Sequence, residues 1–587
     1  MNGFSWHLLK NFVFVLLGLF VVPAITWFYA GHALTHGLEV SQNIDPAAAL
    51  AQMEEACRQG HVICSSHGFV WQHVTARSLA GWTIAGGVIL FALIALLAVL
   101  AFVNRGLQLI SFTVGRHLMS LACVLTLVSQ GTMIVWLSFW LTAFFSGKYF
   151  PKLILIAGVA VAAGIGYVLW EMFKKLPASD AIAGELVGKN NAPRLWQRIH
   201  QMAEQLQTSP PQYLIAGIDC NFFVTEAPLT VGDQPLAGRK LFVSLPLLRQ
   251  LETREADAVL AHELAHFAGG DTKNSARLWP QLAQYDRYAG SLAEIGHVMH
   301  LVLPFLYFYR LIFEFALARE SRAREFLADS AAARLVSPEA IARALVKIGA
   351  YSIYRAQVEE GLFALDEKLA ENLGLAGRIR EGLHPWAHSS GFANLMSRAH
   401  IPHPFDTHPP LEERMRNVSA VIAGKDFSQV VTEKVEHDWV EEIEAADAME
   451  TRLWAEYEQA FAQAHEIDLA YRYDPAKPEE RDLVLKHFPP LTFATKKEGD
   501  FEINCETILP PGKPPIAYDD IKTLQVNDDV LHVTLSEKGL MLNKTLKVKL
   551  KGLGEKQEEF MDALGKYWAR HQIMRTRQQE KAENTNG

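Results

Sequence analysis

Four long runs near the start of the chain are apolar and contain no charged residue. They are Phe12–Ala30, Gly81–Val103, Leu118–Phe145 and Leu153–Trp170. Each approaches or exceeds the roughly 20 residues that an α-helix needs to span a bilayer. Because buried helices of soluble proteins seldom stay uncharged for this long, the pattern predicts four transmembrane helices in an integral membrane protein. The first run lacks a small-x-small cleavage site and is followed by further spans, so we interpret it as an uncleaved anchor.

Beyond these runs the chain alternates between helical and extended patterns. Pro193–Gln207 has the apolar spacing of a helix, with the proline in its first turn, whereas Lys240–Ser244 is typical of a strand. Glu436–Glu466 is helix-forming and strongly acidic, and we interpret its charge as a solvated face. After Pro489-Pro490, short alternating runs precede a helical pattern at Lys556–His571. This arrangement predicts a small β-rich unit followed by one helix.

The pentapeptide His262-Glu263-Leu264-Ala265-His266 places two histidines four residues apart in a predicted helix. At that spacing both imidazoles lie on one helical face, where they can bind a single metal ion. The glutamate between them lies beside the ion, where it can take a proton from an attacking water molecule. Because the chain contains 22 histidines, the motif alone is only a hypothesis, and further ligands are needed to support it.

A catalytic zinc ion usually has three protein ligands, and the best candidate for the third is Glu325. It lies in the segment Arg324–Asp329, where Glu325 and Asp329 are four residues apart in a second predicted helix. Glu325 can then bind the metal while Asp329 accepts the free N–H of a zinc-binding histidine and fixes its tautomer. The alternative is a solvated helix that carries two acids one turn apart; the histidine motif favours the metal site.

A fifth apolar stretch, Ile295–Ala318, separates the two predicted metal-binding segments and contains Pro304, Arg310 and Glu314. A single membrane crossing would put Glu325 on the opposite side from the histidines and exclude a shared metal. We therefore expect an interfacial, re-entrant or hairpin segment, and favour a broken amphipathic helix lying against the membrane. Arg310 and Glu314 can pair on one helical face, which lowers the cost of partial burial.

Three segments follow one another in a fixed order along the chain. They are His262–His266, Glu325–Asp329, and Thr407-His408-Pro409-Pro410 followed by Arg414. These segments resemble the signatures of the HtpX and CAAX-prenyl-endopeptidase family of membrane zinc metallopeptidases, which are of the gluzincin type. Gly238–Ser244 also resembles the strand that precedes the first helix in that family, and the resemblance extends from about Leu176 to Lys425.

The resemblance implies a role for each matching residue. It implies one zinc ion per chain, with ligands His262, His266 and Glu325. Glu263 is then the general base, and Asp329 supports a ligand. The resemblance also brings His408 and Arg414 near the site, as donors to the transition state or as regulatory residues. For His408, a resting-state zinc ligand and a histidine fixed in a proline-rich loop are both open alternatives.

The family also has a strand on the substrate side that often contains Asn-Ala-Phe-Ala. The equivalent residues here are Asn221, Phe222, Phe223 and Val224. If Asn221–Thr225 forms a sheet edge over the zinc, its backbone can pair with an extended peptide. Phe222 is bulkier than the family residue and alters the groove, and we expect one of the two phenylalanines to belong to the core.

At 587 residues the chain is long enough for several domains. The predicted division is a membrane domain with four transmembrane helices (1–175), a zinc metallopeptidase domain (176–425), an acidic helical segment (426–488), a β-rich domain (489–575) and a disordered tail (576–587). The fold class is therefore an α-helical membrane domain, an α+β zincin-type metalloprotease domain and a small β-rich C-terminal domain. The last resembles a pleckstrin-homology-like barrel and is a candidate to bind a lipid or protein partner, or to cap the structure.

Charges and cysteines indicate the orientation. With the N-terminus inside, the residues that face the cytoplasm are Lys10, Arg105, Arg116, Lys174 and Lys175. Those that face out are Arg58, Arg77, Lys148 and Lys152, which leaves a small positive-inside bias. Cys57 and Cys64 lie between the first two spans, where an oxidising compartment permits a disulfide. These features predict the bacterial inner membrane, with the catalytic domain in the cytoplasm.

The predicted function is a membrane-bound zinc metalloendopeptidase that hydrolyses peptide bonds in membrane-protein quality control. Its partners are then polypeptide substrates, chiefly membrane proteins, and the lipid bilayer. The alternatives are a processing protease for lipidated peptides and a non-enzymatic membrane scaffold with structural zinc. Glu263 favours an enzyme, because a structural zinc site has no need of a non-ligating carboxylate between its histidines. No basic patch of the kind that nucleic-acid binding needs is present in the sequence.

Overall fold

The computed structural model describes residues 2–42, 45–103, 105–174, 180–294, 297–370, 372–398, 408–495, 499–527, 530–538 and 543–586. The chain divides into two compact units. Unit 1 comprises Met1–Ala350 and Ala387–Ala446, and unit 2 comprises Tyr351–Trp386 and Asp447–Gly587. Unit 1 therefore contains both the apolar runs and the histidine motif, while the finer five-part division of the sequence stays a prediction.

The N-terminal part of unit 1 is helical. Its helices are α1 (Asn2–Gln42), α2 (Pro46–Arg58), α3 (Phe69–Val103), α4 (Arg105–Ser146) and α5 (Pro151–Phe173). Within the described residues, four stretches are long and apolar enough to span a membrane: Leu9–His36, Phe69–Val103, Gly106–Ser146 and Pro151–Phe173. Each contains one of the four predicted runs, so every run lies in a helix that could cross a membrane. Cys57 at the end of α2 forms a disulfide with Cys64.

The rest of unit 1 begins with short strands that lead to the histidine motif. In chain order the elements are β1 (Asp180–Ile182), β2 (Glu185–Leu186), α6 (Pro193–Gln205), β3 (Tyr213–Gly217), β4 (Phe223–Thr225), β5 (Leu229–Val231), β6 (Gln234–Leu236), β7 (Lys240–Ser244), α7 (Leu245–Leu248), α8 (Thr253–Ala268), α9 (Asp271–Glu294) and α10 (Leu303–Leu335). One sheet has the strand order β2-β3-β7-β4 and the other β1-β5-β6. β3 and β7 are parallel. All residues of β7 are buried, so the strand that leads through α7 to α8 lies in the core.

The helices α9 and α10 form a hairpin that packs among the apolar helices in one hydrophobic core. The connection between the two helices lies beside the middle of α1. A Cβ added at Gly18 of α1 would be only 3.3 Å from the carbonyl oxygen of Leu301 in that connection. The Tyr309 hydroxyl of α10 donates to the Ser111 carbonyl of α4 at 3.2 Å. The chain therefore enters the bundle along α9 and returns along α10.

The hairpin is one of the three alternatives expected for Ile295–Ala318, whose first two residues lie outside the described part of the chain. The favoured broken surface helix is wrong: Pro304 lies in the first turn of α10, where proline is tolerated, and the helix continues to its end without a break. Arg310 donates to Asp286 of α9 at 2.8 and 3.1 Å and to Glu314 at 3.3 Å, so its charge is paired inside the hairpin. Because the chain returns, both predicted metal-binding segments lie at the same end of the bundle.

The remaining helices are α11 (Pro338–Phe363), α12 (Leu375–Ala387), α13 (Ser390–Arg398), α14 (Leu411–Asn417), α15 (Phe427–Thr432), α16 (Ala446–Arg472), α17 (Pro478–His487) and α18 (Gln557–Asn586). The strands of unit 2 are β8 (Leu491–Ala494), β9 (Asp500–Ile503), β10 (Thr507–Leu509), β11 (Ile516–Ala517), β12 (Ile521–Asn527), β13 (Val530–Lys538) and β14 (Asn543–Lys549). They form two antiparallel sheets, β11-β10-β9-β8 and β12-β13-β14. Phe560 of α18 packs on Phe501 of β9 with ring centres 4.8 Å apart. A β-rich unit with a closing helix is therefore present, and its likeness to a pleckstrin-homology barrel stays a prediction.

The helix α18 continues through the polar tail for which the sequence predicts disorder. Arg577 and Lys581 form ion pairs with Asp366 at 3.4 and 2.8 Å, and Gln578 donates to Asp474 at 2.9 Å. These partners lie far away in the sequence but within the same unit. A composition rule that considers only the tail itself does not detect them.

Candidate metal centre and active site

The start of α8 is fixed by a buried charge cluster. The Glu252 backbone N–H donates to the Glu255 carboxylate at 3.0 Å, as part of a capping box. Glu255 also pairs with Arg343 at 2.8 Å and with Lys347 at 2.7 Å, both on α11. No local pattern in the sequence predicts this cluster, because Arg343 and Lys347 lie 88 and 92 positions from Glu255. The only local signal is a glutamate at the third position of the helix.

Two histidines of α8 and one glutamate of α10 converge. The Nε2 atoms of His262 and His266 are 3.3 Å apart. Glu325 places one carboxylate oxygen 3.6 Å from His262 Nε2 and the other 3.5 Å from His266 Nε2. The three ligand atoms lie within 4.8 Å of one another. His262 and Glu325 are buried and His266 is half-buried, so the three ligand atoms form a largely buried group that could hold one ion.

The donor set fits zinc. Zinc binds imidazole nitrogen at about 2.0–2.1 Å in a tetrahedral arrangement, which separates two such nitrogens by about 3.3 Å. The observed separation of 3.3 Å matches that value. Two imidazoles and one carboxylate are also the ligands of catalytic zinc sites that keep a fourth position for water, whereas structural sites have four protein ligands.

Asp329 is fully buried behind His262. One of its oxygens lies 2.9 Å from His262 Nδ1. Arg414 of α14 donates to both oxygens of Asp329, at 2.7 and 2.8 Å. Burial alone would raise the pKa of Asp329, but the hydrogen bonds from Arg414 and His262 hold that pKa below its ordinary value. A carboxylate this close to Nδ1 favours a proton on that nitrogen, which leaves Nε2 free to bind a metal.

Glu263 lies on α8 between the two histidines and is half-buried. Burial raises the pKa of its carboxyl, opposed by the two imidazoles and reinforced by the Glu325 carboxylate. A raised pKa brings a carboxyl group closer to the range in which it can both accept and return a proton. Glu263 is not a member of the three-residue ligand group.

His408 and Arg414 approach Glu325 from the third predicted segment, of which Thr407 lies outside the described residues. His408 Nδ1 is 2.9 Å from a Glu325 oxygen, and its side chain is 68% exposed. Arg414 is 3.5 Å from the same oxygen. The structure therefore brings both residues to the site, with Arg414 engaged mainly by Asp329 and His408 at the solvent-facing side.

The predicted substrate strand lies at the edge of the four-stranded sheet as β4, and it also contacts α8. It begins at Phe223, so Asn221 and Phe222 precede it. Phe222 is buried, whereas Phe223 is half-buried and stacks on Phe242 of β7 with ring centres 4.8 Å apart. One backbone edge of β4 pairs with β7, and no other described strand pairs with the second edge.

Four candidate membrane helices, a hairpin within them and a His-His-Glu group with an adjacent carboxylate together define a membrane-embedded metallopeptidase. Sequence comparison agrees, because residues 189–422 match the family described as Peptidase family M48. A "Protease HtpX homolog" of Acaryochloris marina is 30% identical over 212 residues, which cover 33% of this chain and 68% of that protein. The chain belongs to peptidase family M48.

Further relatives carry the same description. A "Protease HtpX homolog" of Trichormus variabilis is 27% identical over 244 residues, covering 38% of this chain and 78% of that protein. One of Listeria monocytogenes is 27% identical over 295 residues, covering 44% of this chain and 86% of the relative. The likeness therefore includes most of each relative but less than half of this chain.

Proposed function

We propose that this membrane metalloprotease is a zinc-dependent endopeptidase that cleaves membrane proteins in quality control. The observation that carries the proposal is the convergence of His262, His266 and Glu325 at tetrahedral zinc spacing. When bound, zinc lowers the pKa of water to about 7 and polarises a peptide carbonyl. The remaining steps are assigned to side chains of this chain.

Glu263 acts as the general base in this proposal. It takes a proton from the attacking water and then delivers that proton to the leaving amine, which restores its charged form. Asp329 and Arg414 are positioning residues, because they hold His262 in the tautomer that binds metal. His408 is the proposed hydrogen-bond donor to the oxyanion that develops on the scissile carbonyl, since its side chain faces solvent beside Glu325.

The proposed substrate is an extended segment of a membrane protein. The second edge of β4 offers backbone groups for pairing, which gives affinity with little sequence preference. The site also lies close to the membrane part of the molecule. Gln108 of α4 donates to the carbonyl of Ala316 at 3.1 Å, and Glu325 follows nine residues later on α10, a rise of about 14 Å.

We place the protein in a bacterial inner membrane with the site in the cytoplasm. Two observations support this placement: the positive-inside bias and the Cys57–Cys64 disulfide. The disulfide lies at the end of the bundle opposite to the site, where an oxidising compartment would permit it. For the β-rich part of unit 2 we propose a protein or lipid partner. Lys547 and Lys549 are exposed on β14 while Val548 between them is buried, so one side of that strand is basic.

The test compares the purified wild type with Glu263→Gln in detergent. Casein cleavage, self-cleavage and bound zinc are measured for both. We expect the variant to keep its zinc and to lose cleavage by about 10²-fold or more, because only the base is removed. Glu320→Gln changes an acid of α10 that is outside the ligand group and serves as the control with unchanged cleavage.

Two results would count against the proposal. A wild type that holds zinc but cleaves nothing would favour the scaffold alternative. Loss of zinc from Glu263→Gln would show that Glu263 is a ligand rather than the base.

A further inference from the structure

We propose that a pocket between α4, α5 and α9 binds the phosphate group of an anionic phospholipid. The residues that matter for binding are Arg116 of α4, Glu171 of α5, and Gln284 and Arg287 of α9. The pocket has a volume of about 120 Å³. At roughly 30 Å³ per water molecule this is the space of about four waters, which suits the four oxygens of a phosphate group.

Positive charge exceeds negative charge at this pocket. The buried Glu171 pairs with Arg287 at 2.6 Å and with Lys174 at 3.2 Å. Arg116 donates to the neutral side-chain amide of Gln284. In the part of the chain that the structure describes, no carboxylate forms an ion pair with Arg116. Two arginines and one carboxylate therefore line the pocket, and Lys174 adds a third positive charge beside Glu171, so an additional anion would be attracted.

Each of the two arginines that line the pocket has one hydrogen-bond donor without a partner among the described residues. The Nε atoms of Arg116 and Arg287 are buried and lack a hydrogen-bond partner among the described residues. A buried donor without an acceptor is costly, so such groups favour a ligand that accepts. Phosphate oxygens match the fork geometry of the guanidinium group and accept two parallel hydrogen bonds from it.

The pocket lies at the level of the lipid headgroups. Arg116 lies two residues before the uncharged run that begins at Leu118, and Glu171 directly follows the run that ends at Trp170. The membrane supplies phosphodiesters at this depth, and basic pockets between transmembrane helices bind anionic headgroups. A zwitterionic headgroup brings its own cation, which would compete with the arginines.

A phosphate held here would connect two parts of unit 1. It would bridge Arg116 in the apolar bundle and Arg287 on the first arm of the hairpin, whose second arm carries Glu325. A ligand that binds only the folded state stabilises it. We therefore expect anionic lipid to raise the unfolding temperature of the full-length protein.

The experiment uses the full-length protein, stripped of lipid in detergent. Phosphatidylglycerol, phosphatidylcholine or inorganic phosphate is added, and binding is followed by native mass spectrometry and by thermal unfolding. We expect phosphatidylglycerol to bind more tightly than phosphatidylcholine. Arg116→Gln should weaken that binding about tenfold, the effect of losing a charge-assisted hydrogen bond. Lys152→Gln, at the opposite end of α5, is the matched control and should bind as the wild type does.

Glu171→Gln tests the proposal in the opposite direction. It removes the competing carboxylate, so phosphatidylglycerol binding should become tighter, a gain that misfolding cannot produce. Equal lipid binding by Arg116→Gln and the wild type would overturn the proposal, and so would weaker binding by Glu171→Gln. Binding of inorganic phosphate without retention of phosphatidylglycerol would overturn the assignment to a lipid.

Discussion

At the scale of single residues, the geometry of the site depends most on Asp329. One of its oxygens lies 2.9 Å from His262 Nδ1, and both oxygens accept hydrogen bonds from Arg414. Asparagine has one acceptor oxygen and would turn an N–H₂ group toward a donor. Asp329→Asn should therefore weaken zinc binding by about 10–100-fold, the usual effect of losing such a supporting partner. Competition with a chelator measures this affinity.

The control for that experiment is Glu320→Gln, which changes an acid on the same helix and should leave zinc affinity as it is. Thermal unfolding of the metal-free proteins separates a loss of fold from a loss of affinity. If Asp329→Asn binds zinc as tightly as the wild type, Asp329 serves the packing of α10 and α14 rather than the ligand.

His408 is the residue for which the sequence left the most alternatives. Its contact with Glu325 at 2.9 Å and its exposed side chain suit a donor to the reacting carbonyl. We expect His408→Ala to lower kcat by about 10²–10³-fold, as for other donors to an oxyanion, with KM and bound zinc close to the wild type. Peptide cleavage kinetics at saturating zinc provide the measurement. An increase in activity would instead identify His408 as an inhibitory residue.

Some residues of the candidate centre could be predicted from the sequence by a local pattern, and others could not. The spacing of four predicted that His262 and His266 share one helical face, and they do so in the structure. The pairing of Arg414 with Asp329 joins residues 85 positions apart, so no local pattern predicts it. The family resemblance brought Arg414 near the site as a donor to the transition state or a regulatory residue, and in the structure its guanidinium group donates to Asp329.

At the scale of elements, the packing of α10 against α4 positions Glu325. A Cβ added at Gly115 of α4 would overlap the hydroxyl of Tyr309, which is buried and bonded to the Ser111 carbonyl. Gly115→Ala must therefore displace Tyr309. We expect a loss of about 1–3 kcal/mol in the free energy of unfolding, with weaker zinc retention as α10 shifts. Thermal unfolding and zinc analysis measure the two effects.

Gly158→Ala on α5 is the matched substitution. A Cβ there meets no described atom within 4 Å. Alanine favours helix over glycine by up to about 1 kcal/mol, so this variant should be neutral or slightly more stable. Equal destabilisation by both variants would mean that glycine itself, and not the contact with Tyr309, matters in these helices.

The membrane helices were predictable because an uncharged run of their length has few alternatives. The hairpin was one of three alternatives for Ile295–Ala318 and was not the favoured one. In the structure, the charge of Arg310 is neutralised by Asp286 on the neighbouring helix as well as by Glu314 on its own helix. A hydropathy pattern evaluates one segment at a time and counts Arg310 as an obstacle to burial. The same limit applies to the tail of α18, whose ion-pair partner Asp366 lies far away in the sequence.

At the scale of the whole molecule, the disulfide and the candidate site lie at opposite ends of the bundle. Trp140 near the end of α4 donates to Gln72 near the start of α3 at 3.0 Å, which puts the segment after α4 at the disulfide end. The pairing of Gln108 with Ala316 marks the other end. If the Cys57–Cys64 disulfide forms in an oxidising compartment, the site faces the cytoplasm.

Two variants, each with one added cysteine, test this orientation in intact cells. Lys148→Cys lies in the segment between α4 and α5, and Lys189→Cys lies just before α6, where residue 189 is exposed. A membrane-impermeant maleimide should label the first variant and not the second, and lysis should make the second reactive. The unsubstituted chain gives the background from the half-buried Cys220. Labelling of Lys189→Cys alone would place the disulfide in the reducing cytoplasm, where it would not persist, and would move proteolysis to the outer face.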